Sequence, residues 1–191
     1  MILGIDATNI KSEGGIVHLF EILNNLNFKR SKVEKIYIWG DSRLLSKVRN
    51  NKKIVKYSVN HITNNLIKRL FWQKFILPLE LKKIGCTLLF VPGGVLFKNK
   101  FKSVIMFQNI LPFMEDEVSR YNLISKIKFF IQRKIYLSGF NNSNGIIFLS
   151  NFSKKLMKKK TFFYKKKIIL IPHGISNNFK SKIKKKKSKI L

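Results

Sequence analysis

Two neighbouring glycines near the N-terminus have the character of a phosphate-binding loop. An apolar run at 2–6 is followed by Asp6-Ala-Thr-Asn-Ile-Lys-Ser-Glu-Gly-Gly, and a segment of helical period begins near Ile16. Gly14 and Gly15 would stand at a helix N-terminus, where backbone N–H groups can approach a phosphate and the helix dipole attracts negative charge. The loop could hold a diphosphate, and a plain connecting loop is the competing interpretation.

Longer phosphate-binding glycine patterns are missing from the sequence. It contains neither G-x-G-x-x-G nor G-x-x-x-x-G-K-[ST]. This absence argues against a dinucleotide oxidoreductase and against a P-loop ATPase.

Polar residues also stand at the C-terminal ends of two later apolar runs. Gln108 and Asn109 end the run that begins at 103, and His173 and Gly174 follow Ile-Ile-Leu-Ile-Pro at 168–172. Open α/β sheets place their ligands where strands end in such turns. The side-chain amides of Gln108 and Asn109 cannot act as a general base at neutral pH, but they can hydrogen-bond to a hydroxyl group.

Other reactive residue types give little support for metal or nucleophile chemistry. The three histidines are far apart and have no cysteine or carboxylate at ligand spacing, so no metal is predicted. Glu115-Asp116-Glu117 could suggest a divalent cation, but a solvated turn before a helix is favoured. Ser150 lacks the G-x-S-x-G setting of a nucleophile and is interpreted as a helix cap.

The elements that would position these residues alternate between short apolar runs and longer segments of helical period. Strands are predicted at 2–6, 34–39, 54–59, 87–91, 103–108, 145–149 and 167–171, and helices near 15–27, 41–49, 62–84, 122–138 and 151–160. This order is typical of an α/β fold, here a Rossmann-like parallel sheet with helices on both faces. Most strands lack apolar–polar alternation, as expected when both faces are covered.

Two helical segments could face either a core or a membrane. In the segment 66–84, which Pro78 should kink, core packing is favoured for its apolar residues, which are Leu66, Ile67, Leu70, Phe71, Phe75, Leu79 and Leu81. The segment 122–138 mixes apolar residues with lysines and arginine on a basic amphipathic face. Core packing and interfacial binding both remain open there, with Lys126, Lys128, Phe129 and Phe130 as candidate membrane contacts.

Composition suggests one domain and an anionic partner. The 191 residues carry a formal net charge of +30, and no acidic residue follows Glu117. Such asymmetry favours nucleic acid or an anionic membrane face, although codon bias toward lysine would produce the same excess. The single Cys86 suits a reducing compartment. No segment of the sequence has the pattern of a membrane-spanning helix or of a signal peptide, so a cytoplasmic location is expected.

Four stretches in order resemble the N-terminal half of a group 1, GT-B fold, retaining nucleotide-sugar glycosyltransferase. They are Gly-Ile-Asp-Ala-Thr-Asn-Ile-Lys-Ser-Glu-Gly-Gly at 4–15, Phe-Val-Pro-Gly-Gly at 90–94, Gln-Asn-Ile-Leu-Pro-Phe at 108–113 and Gly-Ile-Ile-Phe-Leu-Ser-Asn-Phe-Ser-Lys-Lys at 145–155. Ile-Pro-His-Gly-Ile at 171–175 is similar to the segment that ends the first Rossmann-like domain of that family. The resemblance covers residues 1 to about 179.

The resemblance implies a cleft between two Rossmann-like domains, with the acceptor held mainly by the first domain and the nucleotide sugar mainly by the second. Gly14 and Gly15 would line the donor diphosphate, and Gln108 and Asn109, with His173 and Gly174, would face the sugar and acceptor. Many relatives carry a His-Asp pair where this chain has Gln108-Asn109. The implied substrates are a nucleotide sugar and a glycan or lipid-linked acceptor, with no cofactor.

The resemblance also implies a second domain that this sequence does not show. Residues 1–179 are expected to form the acceptor-side domain and 180–191 a basic disordered tail, so the chain is interpreted as truncated before the donor-binding domain. We expect it to be inactive alone, with a second domain supplied in trans as one way to complete it. The expected activity is hexosyl transfer in cell-surface polysaccharide or lipopolysaccharide assembly at the inner face of the cytoplasmic membrane.

Two other functions remain as alternatives. A basic nucleic-acid-binding protein would use the lysine-rich C-terminal third, with Phe and Tyr side chains at 158–167 available for base stacking. This alternative ranks lower because lysines explain affinity but not the α/β order upstream. The other is a non-catalytic gene fragment that folds without a ligand.

Overall fold

The computed structural model describes residues 1–160, 166–172 and 174. These residues form a parallel sheet of seven strands in the order β3-β2-β1-β4-β5-β6-β7. The strands are β1 (Ile2–Asp6), β2 (Lys35–Gly40), β3 (Ile54–Ser58), β4 (Leu88–Val91), β5 (Ser103–Phe107), β6 (Gly145–Phe148) and β7 (Lys167–Leu170). The predicted Rossmann-like sheet is confirmed, and each predicted strand end lies within one residue of the observed one.

Helices connect the strands. They are α1 (Glu13–Asn24), α2 (Ser42–Lys47), α3 (Asn60–Thr63), α4 (Leu66–Phe71), a π-helical turn (Trp72–Ile76), α5 (Leu77–Lys83), a 3-10 turn (Leu111–Phe113), α6 (Glu115–Ser119), α7 (Leu123–Asn142) and α8 (Asn151–Lys160). The helices predicted at 15–27, 41–49, 122–138 and 151–160 are therefore present as α1, α2, α7 and α8. The predicted basic tail at 180–191 lies outside the described residues.

The long helix predicted at 62–84 is divided into several pieces. Pro78 has no backbone N–H, and the helix adapts just before it through the π-helical turn, in which the N–H of Leu77 donates to the carbonyl of Trp72. The disturbance predicted at Pro78 thus takes the form of a wider helical turn. This turn changes which side chains of the segment point toward the sheet.

The solvated turn predicted for Glu115-Asp116-Glu117 is wrong, because these residues form the first turn of α6. Acidic side chains are favoured there by the helix dipole. The Glu115 carboxylate also lies 2.7 Å from Lys160 Nζ and 3.4 Å from Arg133 Nη1, and the Lys160 bond is the main reason that the pKa of Glu115 is lowered. Glu115 therefore links three helices rather than presenting a free cation site.

Two apolar cores form on opposite faces of the sheet. One, under α1 and α2, includes Ile5, Leu19, Ile38 and Leu44. The other, under α5, α7 and α8, centres on Phe107, whose ring packs against the rings of Phe113, Tyr136, Phe140 and Phe148 at centroid distances of 5.1–5.9 Å. Helices lie on both faces, as predicted.

The covering of the sheet is nevertheless incomplete. A shallow apolar cleft of about 480 Å³ lies on the strands β1, β4, β5, β6 and β7, and the residues that line it all belong to strands or their flanks. The burial of β4 and β7 accordingly alternates along each strand. The sheet thus has helices on both faces, as predicted, while part of one face over β4–β7 has no helix on it within the described residues.

Close packing of α7 against the loop after β4 requires glycine. Gly94 has a φ of +72°, and a Cβ added there would lie 2.9 Å from Cε1 of Tyr136. A Cβ added at Gly139 would overlap the carbonyl oxygen of Gly94. The helix backbone therefore lies directly against the loop that ends β4, which fixes α7 beside the carboxyl edge of the sheet.

We expect Gly139→Ala to lower the free energy of unfolding by about 2 kcal/mol, since the new methyl group meets a backbone oxygen that cannot rotate away. This loss exceeds the gain of roughly 1 kcal/mol in helix propensity. Urea unfolding followed by circular dichroism measures it. Gly14→Ala is the matched control, because a Cβ there has no neighbour within 4 Å. Equal stability of the two variants would contradict the close approach.

Candidate functional site

The direction of the chain reverses between two neighbouring strands. From β1 the chain runs to β2 on one side, whereas from β4 it runs to β5 on the other. Loops that leave adjacent strands in opposite directions open a crevice at the carboxyl edge of the sheet, where such folds bind ligands. A groove of about 660 Å³ lies at this place, with a volume in the range of small-molecule sites.

The groove has polar side chains at its base and apolar side chains on two helices. The loop after β1, the loop after β4 and the end of β5 contribute Asn9, Lys11, Ser12, Gly15, Pro92, Gly93, Gln108 and Asn109. Helix α4 contributes Leu66, Arg69 and Leu70, and α7 contributes Ile124, Ile127, Lys128, Ile131, Gln132, Ile135 and Tyr136. A ligand here would meet hydrogen-bonding groups at one end and hydrocarbon at the other.

The N-terminus of α1 is brought close to the end of β5. The N–H of Gly15 donates to Oγ of the capping residue Ser12 at 3.3 Å. A Cβ at Gly15 would lie 3.1 Å from Ile10, 3.2 Å from Ser12 and 3.6 Å from Gln108 Oε1. Gly15 therefore permits this approach, whereas Gly14 is exposed, has no such neighbours and is outside the groove lining.

A buried polar network lies beneath the groove. The Nε2 group of Gln73 donates to Asp6 Oδ2 at 2.7 Å and to Thr8 Oγ1 at 3.1 Å, while the Thr8 hydroxyl donates to Asp6 Oδ1 at 2.6 Å. Burial raises the pKa of Asp6, and the bonds from Thr8 and Gln73 and the nearby Arg69 act in the opposite direction. The network joins the end of β1 to the π-helical turn. Sequence reasoning missed Gln73, because Pro78 predicts a disturbance of the helix but not that it takes the form of a π turn that buries Gln73.

Two of the three cations that line the groove, Arg69 and Lys11, have lowered pKa values. Arg69 donates from Nη1 to the carbonyl of Thr63 at 2.9 Å, and burial lowers its pKa while Asp6 acts in the opposite direction. The pKa of Lys11 is also lowered, first by partial burial and then by the positive charge of Arg69. Both shifts disfavour the charged forms, so an anion placed between these side chains would relieve the unfavourable electrostatics.

Several buried polar atoms near the groove have no hydrogen-bond partner in the structure. They are Nδ2 of Asn9, Nε of Arg69, Oε1 of Gln73 and Oε1 of Gln132. Unpaired buried polar atoms cost free energy, and their clustering at one place indicates a site that a ligand or water completes. Asn109 is different, since Oδ1 accepts from the N–H of Leu111 at 3.2 Å and its side chain hydrogen-bonds to Tyr136.

The residues predicted from sequence for the cleft are only partly together. Gly15, Gln108 and Asn109 line the groove. Gly174 follows β7 at the far edge of the sheet, where an added Cβ would have no neighbour within 4 Å. His173 lies outside the described residues.

The four candidate membrane contacts on α7 differ in their surroundings. Lys128 is exposed and lines the groove, and the side chain of Phe130 is 61% exposed. The ring of Phe129 instead packs edge-on against Tyr121 at 5.1 Å, and Lys126 is half-buried. None of the helices in the described part of the chain combines the length and apolar character that crossing a bilayer requires.

For most of the apolar residues of the segment 66–84, the predicted core packing is wrong. Of the seven residues named for it, only Leu81 is buried, and Leu70 is half-buried. The exposed ones are Leu66, Ile67, Phe71, Phe75 and Leu79. The sheet is instead covered by Trp72, Gln73, Leu77 and Leu81, because the π turn rotates the segment.

Other reactive side chains are not assembled into a site. Within the described residues, no three His, Cys, Asp or Glu side chains come together in a way that could hold a metal ion. His18 Nε2 lies 3.3 Å from Sδ of Met106. Cys86 is buried, and burial raises the pKa of its thiol, which disfavours the reactive thiolate.

Comparison of the chain with protein-family models finds no match, and comparison with curated proteins finds none either. The fold, the groove and the residues that line the groove are therefore the basis for a functional proposal.

Because Asp6 is buried, its contribution to the stability of the fold should fall as pH rises. Above about pH 4, Asp6 in the unfolded chain loses its proton, whereas the folded carboxyl keeps it up to its raised pKa. The folded state then binds more protons, so the contribution of Asp6 to the free energy of unfolding falls as pH rises through this window.

Urea unfolding of the wild type and Asp6→Asn between pH 4 and 8 measures this contribution as the difference between the two curves. We expect the stability of the wild type relative to the variant to fall as pH rises. The exposed Asp116→Asn variant controls for the loss of one negative charge. A difference in stability that stays constant or rises with pH would show that the pKa of Asp6 is not raised in the folded state.

Proposed function

We propose that this domain is the acceptor-side half of a glycosyltransferase that transfers a hexosyl group from a nucleotide sugar. The observation that carries the proposal is the groove at the reversal point of the sheet, whose lining brings together Lys11, Arg69, the N-terminus of α1 at Gly15 and the amides of Gln108 and Asn109. Cations and a helix N-terminus suit a diphosphate, and amides suit sugar hydroxyls. The order of motifs along the sequence supports the same reading.

Different residues of the groove would have different roles. Lys11 and Arg69 would bind the diphosphate, whose negative charge grows as the bond to the sugar breaks. Gln108 would hold a hydroxyl of the sugar or acceptor, while Asn109 would position Tyr136, to which it is already bonded. Asp6 is buried and occupied by Thr8 and Gln73, so it would support the loop rather than remove a proton.

The proposed reaction needs more contacts to the nucleotide sugar than the groove provides. In the family that the chain resembles, a second domain supplies the main contacts to the nucleotide and sugar. The groove is open to solvent, and the groups that it offers to the donor are Lys11, Arg69, Gln108 and the N-terminus of α1. We therefore propose that this domain by itself binds the donor weakly, and that transfer of the sugar needs further contacts to the nucleotide.

The proposed position of the domain is the anionic inner face of the cytoplasmic membrane. Helix α7 presents Lys128, Lys134 and Phe130 at its surface, and Lys134 Nζ lies 5.4 Å from the centroid of the Phe130 ring. Basic and aromatic side chains on one helix suit the boundary between headgroups and acyl chains. A membrane position would suit an enzyme of cell-surface polysaccharide or lipopolysaccharide assembly.

The donor assignment predicts weak, saturable binding of a nucleotide sugar. We expect at least one of UDP-glucose, UDP-galactose, UDP-N-acetylglucosamine and GDP-mannose to raise the melting temperature and to bind in isothermal titration calorimetry. Lys11→Gln should weaken that binding roughly tenfold, since it removes one charge-assisted hydrogen bond. Lys52→Gln, an exposed lysine just before β3 at the other edge of the sheet, is the control. Equal binding by both variants would show that Lys11 does not contact the nucleotide sugar.

The membrane assignment predicts selective binding to anionic vesicles. In flotation with phosphatidylcholine vesicles, adding phosphatidylglycerol should increase recovery of the protein. Lys128→Gln/Lys134→Gln should weaken binding to the anionic vesicles roughly 30-fold, because each exposed lysine contributes about 1 kcal/mol. Lys82→Gln/Lys83→Gln, an exposed pair at the end of α5 on the opposite edge of the sheet, should bind as the wild type does. Equal recovery with neutral and anionic vesicles would contradict this assignment.

A further inference from the structure

The apolar cleft of about 480 Å³ lies on the face of the sheet that also carries α1. Leu3 and Phe90 line this cleft and also pack against the core under α1 and α2, whereas Ile168 and Leu170 pack against the opposite core. The side chains that line the cleft from five adjacent strands are Leu3, Leu88, Phe90, Val104, Ile147 and Ile169. We call the surface formed by these six residues the open face.

The open face lacks the cover that parallel sheets normally have. Ile105 and Ile146, on the other face of β5 and β6, are each 1% exposed beneath helices. On the open face, Ile147 and Ile169 are register partners, and Ile169 is 43% exposed. Parallel sheets are found almost only with both faces covered, and exposed apolar patches mark interaction sites. The open face is therefore expected to bind a further element.

The uncovered width matches one helix. Helix α1 reaches as far as β5, where His18 Nε2 lies 3.3 Å from Met106 Sδ. From β5 to β7 the sheet spans two strand spacings, or roughly 10 Å. An α-helix with its side chains is about 10 Å wide, so one helix centred over β6 would fill the space beside α1.

Two unpaired cations stand at the amino edge of this space. Lys102 precedes β5 and Lys167 begins β7, so they would flank the end of a helix centred over β6. Both lysines are exposed, and neither has an ion pair among the described residues. The N-terminal amine of Met1, at the same edge, is already paired with Glu34 at 2.6 Å.

These two lysines select the charge and the direction of the bound helix. No Asp or Glu lines the cleft within the part of the chain that the structure describes. Acidic side chains and the carbonyl groups at a helix C-terminus both carry the charge that complements Lys102 and Lys167. A helix that runs in the same direction as α1 would place its C-terminus at this amino edge.

Charge also decides against this chain itself as the occupant. The sequence after Gly174 contains lysines and no acidic residue, so it would bring positive charge to Lys102 and Lys167. A second copy would bring the same two lysines and a formal net charge of +30. The complement of the open face is therefore an acidic partner.

We propose that the open face binds an amphipathic α-helix of another protein, which is apolar toward the strands and acidic in its last turn. The helix lies beside α1 over β6, with its C-terminus between Lys102 and Lys167. This interaction does not rest on the function proposed above, because the open face and the groove share no lining residue. A partner can therefore be bound while the groove stays accessible.

Two isomeric peptides test the charge and the direction together. Both have about 18 residues, leucines at helical spacing, and acetylated and amidated ends; three glutamates lie in the last turn of one and in the first turn of the other. We expect fluorescence anisotropy with the full chain to show that the first peptide binds at least fivefold more tightly. Glutamates in the first turn favour an isolated helix, so this preference cannot come from helicity. About 1 M salt should remove most of the difference.

A substitution on the open face tests the apolar contact. Ile169→Gln should weaken both peptides roughly fivefold, because it removes apolar surface that the helix would cover. Ile67→Gln is the matched control, since Ile67 is a 79% exposed isoleucine on α4 outside the cleft lining. Both isoleucines are exposed, so folding is expected to be retained, and circular dichroism checks it.

Charge reversal tests the rim of the open face. Lys102→Glu/Lys167→Glu should weaken the peptide with C-terminal glutamates roughly tenfold, and it should tighten binding of a matched peptide with lysines in the last turn. Lys82→Glu/Lys83→Glu, an exposed pair at the end of α5 outside the cleft lining, should leave the affinity for both peptides unchanged.

Several results would overturn the proposal. They are failure of both glutamate peptides to bind at about 1 mM, equal affinity of these two isomers, and equal effects of the two charge reversals. Dimers in analytical ultracentrifugation that Ile169→Gln dissociates would also overturn it, because a second copy would then occupy the open face. None of these measurements involves a nucleotide sugar, so they fail or succeed independently of the donor assignment.

Discussion

Because each connection between neighbouring parallel strands must cross the sheet with the same hand, the chain places α1 and α2 on one face and α5, α7 and α8 on the other. The reversal between β1 and β4 follows from this constraint, and it opens the groove. It also leaves one face of β4–β7 without a helix in the described part of the chain, which explains the apolar cleft there. Both the site and the incomplete covering of the sheet thus have one topological cause.

The π-helical turn has the greatest local effect on the groove. Without it, the segment after α4 would present a different set of side chains to the sheet. With it, Gln73 enters the interior and meets Asp6 and Thr8 at the end of β1. Burying a carboxyl group costs free energy, and this cost is offset in part by the hydrogen bonds of Thr8 and Gln73. π-helical turns are frequent at functional sites, and this one fixes the loop that carries Asn9 and Lys11.

The same turn leaves an apolar surface in water. Phe71 and Phe75 pack against each other at 4.8 Å on the outer side of the segment, and Ile67 and Leu79 are also exposed there. Such an exposed apolar surface is difficult to explain for a domain that binds only soluble sugars. It is consistent with the proposed position of the domain at a membrane surface.

Much of the fold could be predicted from the residues alone, since strands in a parallel sheet are short apolar runs whose ends are marked by Gly, Asn or Pro. Gly15, Gln108 and Asn109 could be placed at strand or helix ends for the same reason, and the structure brings all three to one groove. Which side of each helix is buried and which is exposed could not be predicted. Apolar residues at helical spacing, such as Leu66, Ile67 and Phe71, have the same pattern whether they face a core or a surface.

The sequence by itself determined which segments are strands and which ends carry polar groups, because these depend on residues that are neighbours along the chain. Only the tertiary structure decided that Arg69 and Lys11 border one groove and that Gln73 reaches Asp6, because these pairs are far apart in sequence and meet through a change of helical pitch before Pro78. The tertiary structure likewise decided that α4 and α7 stand on two sides of the groove. That placement follows from strand order, which no local pattern contains.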